Sequence, residues 1–274
     1  MVTRTISGVL GGLVLIFILI FDSSLPFLLN IAVSIICGFS TYEIFSAMGL
    51  TKLFKVMILS VIFSVLLPIL GYGVLWQVIW FLYTFFIFGV TLLTEKTLSF
   101  KDVAAIYSLV LLITASLNFI IKLRNFGGVF SSFYVFYALC ISWMSDIGAY
   151  FFGTFFGKRK LCPKISPKKT VEGLFGGIIF SLLVSVIICF LFERFMFDDG
   201  VRVNFHYIIP ISLVGSLIST VGDLVFSVVK RGCQVKDFGN FIPGHGGFLD
   251  RFDSVVFVVP FVYFMVNFFN IMKF

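Results

Sequence analysis

About nine apolar runs, near 6–21, 25–48, 56–73, 75–93, 103–121, 129–153, 174–192, 205–229 and 254–272, take up most of this 274-residue chain. An α-helix needs about 20 apolar residues to cross a bilayer. Within lipid the backbone must satisfy its own hydrogen bonds, which leaves helices or closed barrels. Composition agrees: 60% of residues are hydrophobic and 12% charged, where soluble domains carry about 25% charged residues. The prediction is an all-α, polytopic integral membrane protein. No soluble domain fits between the runs, and no internal repeat is evident. Arg4 and the first run resemble the start of a signal peptide. No small-residue cleavage site follows and more runs do, so this run is expected to be a span.

Orientation follows from the cations. With the N-terminus placed in the cytoplasm, the inner segments hold about three-quarters of the 20 Lys and Arg residues. The outer ones hold Lys122, Arg124, Arg194, Arg202 and Lys273. That bias predicts a cytoplasmic N-terminus, with Lys168 and Gly239 inside and Asp199 and Phe274 outside. The net charge of +7 sits in short loops, so it points to an anionic substrate and bilayer, not to nucleic acid. The five cysteines (37, 140, 162, 189 and 233) are scattered without metal-ligand spacing, which argues against a disulfide framework or a zinc site. The 39 phenylalanines read as lipid-facing filler.

Charge is concentrated at Asp223–Asp253. Asp223, Ser227 and Lys230 or Arg231 recur at helical spacing and share a face. Asp250 and Asp253 are three apart and are expected to share a face where the next helix begins. The Gly- and Pro-containing segment between them reads as loop. Two helix ends could thus present carboxylates to one point, ringed by Lys230, Arg231, Lys236, His245 and Arg251. Carboxylates for Mg²⁺ beside cations for phosphate are what phosphoryl chemistry requires.

Two further segments carry polar chemistry. Asp146 lies inside an apolar run, followed by Tyr150 and Gly153 on the same helical face. A carboxylate there needs a partner or a polar cavity. Ser166-Pro-Lys-Lys-Thr-Val-Glu172-Gly173 closes a loop with six cations in twelve residues. Thr170 is placed to cap the next helix, Glu172 falls in its first turn, and Lys169 with the helix end could hold phosphate. Glu43 is the only acid within an early span. It reads either as an interfacial carboxylate or as a partner inside the active cavity.

The pattern Ser227-x-x-Lys230-Arg231, Lys236-Asp237, Pro243-x-His245-Gly246-Gly247-x-x-Asp250-Arg251-x-Asp253 resembles the signature of the phosphatidate cytidylyltransferases. These integral-membrane enzymes make CDP-diacylglycerol. Asp146-x-x-Ala-Tyr150 and the Ser166–Gly173 segment are similar to further parts of that family, so the specific resemblance covers about 142–254. It implies cytidylyl transfer from CTP to phosphatidic acid at the cytoplasmic face of the cell inner membrane. It also implies a divalent metal, Mg²⁺, with a second cation as an open addition, and a homodimer. On this reading Asp223 and Asp250 are metal ligands, and Asp253 is a third ligand or a group that supports them. Lys169, Lys230, Arg231 and Arg251 bind phosphates, and His245 positions a phosphate oxygen. Gly244, Gly246 and Gly247 admit the nucleotide to the backbone. Asp146, Thr170, Glu172, Ser227 and Lys236 complete the binding set. The chain divides into 1–128, spans one to five, and 129–274, the catalytic spans and loops. A CTP-dependent polyprenol kinase and a cation- or proton-coupled transporter are the alternatives the charges also allow.

Overall fold

The computed structural model describes residues 2–22, 24–25, 27–71, 73–93, 99–196, 201–242, 244 and 246–273. Helices α1 (Val2–Ile20), α2 (Phe27–Ala47), α3 (Phe54–Leu70), α4 (Leu75–Leu93) and α5 (Phe100–Gly127) come first. They are followed by α6 (Ser131–Phe156), the strands β1 (Lys160–Cys162) and β2 (Ser166–Thr170), and α7 (Val171–Phe195). Then come β3 (Arg202–Val203), α8 (Phe205–Gly232), the four-residue α9 (Leu249–Phe252), α10 (Val255–Phe268) and β4 (Met272–Lys273). Each apolar run coincides with a helix. Six of these, among the described residues, are long and apolar enough to cross a membrane. The all-α polytopic class therefore holds. The exceptions are two small antiparallel pairs, β1 with β2 and β3 with β4.

The chain forms two compact units, Met1–Ile121 with Gly232–Phe252, and Lys122–Arg231 with Asp253–Phe274. In the first, Phe45, Val56, Phe63, Tyr83, Ile87 and Ile106 build a buried core. Lipid offers helices no hydrophobic reason to associate, so packing and hydrogen bonds must do it. Thr41 and Ser64 hydroxyls meet at 2.6 Å, and those of Ser60 and Tyr83 at 3.1 Å. Asn30 donates to the Pro68 carbonyl at 2.7 Å. That carbonyl lies in the last turn of α3, where intrahelical donors run out. Gln77 apart, the exposed face of α4 is apolar, with Phe81, Phe85 and Phe86 on it.

In the second unit α6 and α7 approach through small residues. A methyl at Gly177 would lie 2.7 Å from the Ser145 carbonyl oxygen, and one at Gly148 would lie 3.1 Å from the Gly177 Cα. Side-chain hydroxyls cross-link the same unit. Ser145 pairs with Ser216 at 2.7 Å and Tyr137 with Ser212 at 2.9 Å. This packing fixes the height of Asp146, which lies one residue beyond Ser145 on α6.

Candidate active site

The second unit gathers three carboxylates and two lysines. On α8, Asp223, Ser227 and Lys230 do share a face: the Ser227 hydroxyl donates to Asp223 Oδ1 at 3.3 Å. Asp223 Oδ2 is 2.7 Å from Lys169 Nζ, with both side chains about one-quarter exposed. Lys169 Nζ also donates to the Thr220 carbonyl at 3.4 Å. Lys230 Nζ faces Asp253 Oδ2 at 3.7 Å, and this pair is almost wholly buried. The Ser254 hydroxyl donates to Asp146 Oδ2 at 2.9 Å and accepts from Ser142 at 2.8 Å. Asp146, Ser254, Asp253 and Lys230 thus follow one another through α6, the start of α10 and α8.

This arrangement is electrostatically tense. Burial pushes the Asp253 carboxyl well above the usual carboxylate range. The neighbouring charge of Asp223 pushes it further, Lys230 opposes, and Asp146 adds to the rise. A cluster with more carboxylate than ammonium welcomes added positive charge. Its hard oxygens suit Mg²⁺. Among the described residues no three His, Cys, Asp or Glu side chains converge closely enough to enclose an ion. Lysine meets Asp223 and Asp253 instead.

Two sequence expectations are met on β2 and α7. The Thr170 hydroxyl caps α7, accepting from the Gly173 N–H at 3.1 Å. Thr170 itself is 5% exposed. Glu172 reaches back across the hairpin base and accepts from the N–H groups of Lys158 at 3.0 Å and Arg159 at 3.1 Å. That holds the β1–β2 hairpin against the helix, and with it Lys169. Gly153 lies against the Thr170 hydroxyl. Tyr150 departs from expectation: it is 69% exposed, so only the Gly153 end of that face turns inward.

The glycine-rich loop folds within the first unit. Gly244 and Gly246 have φ of 79° and 84°, a region closed to most L-residues. The Ile242 N–H bonds the Gly246 carbonyl at 2.9 Å. Asp250 Oδ2 accepts from the N–H groups of Phe238 at 2.8 Å and Gly247 at 3.1 Å. Lys236, Gly244 and Arg251 are exposed, as is Arg231 at the end of α8. His245 lies outside the described residues. Asp250 and Asp253 do not share a helical face. The helix that carries Asp250 stops at Phe252, and Asp253 Oδ1 accepts its successor's N–H at 2.8 Å, a local bond that competes with helix continuation.

Sequence reasoning gave Glu43 two readings, and the structure decides against the interfacial one. Glu43 is fully buried. Its Oε1 accepts from Phe248 N–H and its Oε2 from Leu249 N–H, both at 2.9 Å. No local pattern announces a partner 205 residues away. The one available signal was a lone acid inside an apolar run.

Residues 2–269 match the cytidylyltransferase family. The chain is similar to a protein of Bacillus subtilis strain 168 named phosphatidate cytidylyltransferase, 36% identical over 289 residues, covering 97% of this chain and 98% of that one. Proteins of the same name from Staphylococcus epidermidis and Staphylococcus aureus strain COL are 40% and 39% identical over 177 residues. Those alignments cover 65% of this chain and 64% of each relative.

Proposed function

This chain belongs to the cytidylyltransferase family, and we propose that it moves the cytidylyl group of CTP onto phosphatidate, giving CDP-diacylglycerol and pyrophosphate. The observation that carries the reading is the cluster of Asp146, Asp223 and Asp253 with Lys169 and Lys230. It stands in a membrane chain whose full-length relative bears that enzyme's name. The kinase and transporter alternatives gain no support from that match.

A phosphate oxygen of phosphatidate attacks the α-phosphorus of CTP, and the bond to the β-phosphate oxygen breaks. A phosphate monoester loses its second proton near pH 6, so the nucleophile is already ionised at neutral pH and no strong general base is needed. The demand falls on alignment and on neutralising the phosphates. Lys169 sits on the hairpin braced by Glu172 and Thr170, which suits a cation that must meet phosphate at a fixed point. Lys230 and Arg231 supply further positive charge. Asp223 and Asp253 would hold Mg²⁺, with Asp146 beside Asp253 through Ser254. The family resemblance assigns Asp250 and Arg251 of the glycine-rich loop to metal and phosphate as well. The bound ion would draw charge from the α-phosphoryl oxygens and the departing pyrophosphate. The lysine partners of Asp223 and Asp253 would then turn to the nucleotide. The Lys and Arg bias supports a site on the cytoplasmic side of the cell membrane. The homodimer rests on the family resemblance alone.

The test is pyrophosphate release by purified protein in detergent. Release should require CTP, Mg²⁺ and phosphatidate together, and diacylglycerol, which lacks the attacking phosphate, should not substitute. Equal release with diacylglycerol would refute the proposed nucleophile.

A further inference from the structure

Glu43 ties the glycine-rich loop to a helix more than 200 residues earlier in the chain. It sits near the end of α2, is fully buried, and gives each carboxylate oxygen to a separate loop N–H, Phe248 and Leu249. A buried carboxylate is costly unless fully engaged, and bonds from N–H to an ionised acceptor are among the stronger ones. Leu249 opens α9, whose first N–H groups have no partner within the helix. The fit also explains two glycines. A methyl at Gly247 would lie 2.5 Å from each Glu43 oxygen, and one at Gly239 would also run into the carboxylate. Phe39, one turn earlier on α2, stacks on Phe248 at 4.9 Å and meets Phe241 edge-on at 5.1 Å.

We propose that Glu43 is a positioning residue for the cytidylyl transfer. It latches the 238–250 loop to α2 and so fixes the backbone that presents Asp250 and Arg251. This rests on the functional reading above. Asp250 is bound into the same loop through Phe238 and Gly247, so releasing Phe248 and Leu249 loosens the frame around it. The role needs both oxygens as acceptors. Gln offers one oxygen and one NH₂, and the NH₂ would face an N–H donor.

The experiment compares full-length wild type, Glu43→Gln, Gly247→Ala and the double variant in detergent. Two quantities are read: amide hydrogen exchange across the chain, and kcat and KM for CDP-diacylglycerol formation. In Glu43→Gln, exchange should rise at least tenfold in peptides covering 238–250 and stay unchanged in α6, α7 and α8. The kcat should fall at least tenfold, with KM for phosphatidate within about twofold. Gly247→Ala, which opens the latch from the loop side, should reproduce both effects, and the double variant should be no worse than the poorer single one. Exchange that stays unchanged, or rises evenly over the chain, overturns the latch. A loosened loop with kcat within twofold of wild type overturns the positioning role. Should Glu43→Gln fail to fold, Gly247→Ala decides by the same criteria. A wild-type protein that makes no CDP-diacylglycerol overturns the functional reading instead, and the exchange pattern still decides the latch.

Discussion

Asp223 meets Lys169 at 2.7 Å on a partly exposed face, so the pair contributes little to stability. Its use is chemical. Asp223→Asn keeps size but removes the charge that would face a metal ion or orient Lys169. The expectation is a loss of kcat on the order of 10²–10³-fold, with a thermal midpoint in detergent close to wild type. Activity within tenfold of wild type would remove Asp223 from the machinery. Asp253 differs because it is buried against Lys230. Asp253→Asn removes the buried charge opposite the Lys230 ammonium, so it should lower both stability and activity. The shared α8 face of Asp223, Ser227 and Lys230 was legible in the sequence because helical spacing alone dictates it. The Lys169–Asp223 pairing was not legible, since it depends on how the hairpin folds back.

At the scale of elements, the helices were legible because a run of about 20 apolar residues can satisfy its backbone within itself only as a helix. The β1–β2 hairpin was missed: strands of three and five residues are too short to show a period. The Thr170 cap was legible from residue type and position. Thr170→Ala should cost about 1 kcal/mol, seen as a lower thermal midpoint, and should weaken CTP binding because Lys169 adjoins the cap. Packing of α6 on α7 gives a sharper contrast. Gly177→Ala places a methyl 2.7 Å from the Ser145 carbonyl oxygen and 3.3 Å from the Ala149 methyl. It should cost about 1–3 kcal/mol and displace Asp146. Gly11→Ala meets no atom within 4 Å, so it should be neutral or stabilising by about 0.5–1 kcal/mol. Equal thermal midpoints for the two variants would refute the close packing.

For the whole molecule, the charge bias predicts orientation. On a cysteine-free background, cysteines replacing Lys168 and Asn240 should resist impermeant thiol reagents added to intact cells, and one replacing Arg202 should react. All three positions are exposed. Asn240 is a better probe than Gly239, where a side chain would strike Glu43. Asp199 and Phe274 lie outside the described residues. Labelling at 240 but not at 202 would reverse the topology and put the chemistry on the side without CTP. The sequence also could not show that Gly232–Phe252 folds with the first helices. Glu43, far away in the chain, holds that segment through Phe248 and Leu249.

Labelled phosphorus tests directly whether phosphatidate attacks the α-phosphorus of CTP. Purified protein is given phosphatidate, Mg²⁺ and CTP labelled in parallel at the α- or the γ-phosphate. The α-label is expected in the lipid fraction and the γ-label only in pyrophosphate, in equal molar amounts. The γ-label appearing in lipid, or the α-label never leaving the nucleotide fraction, would contradict that attack.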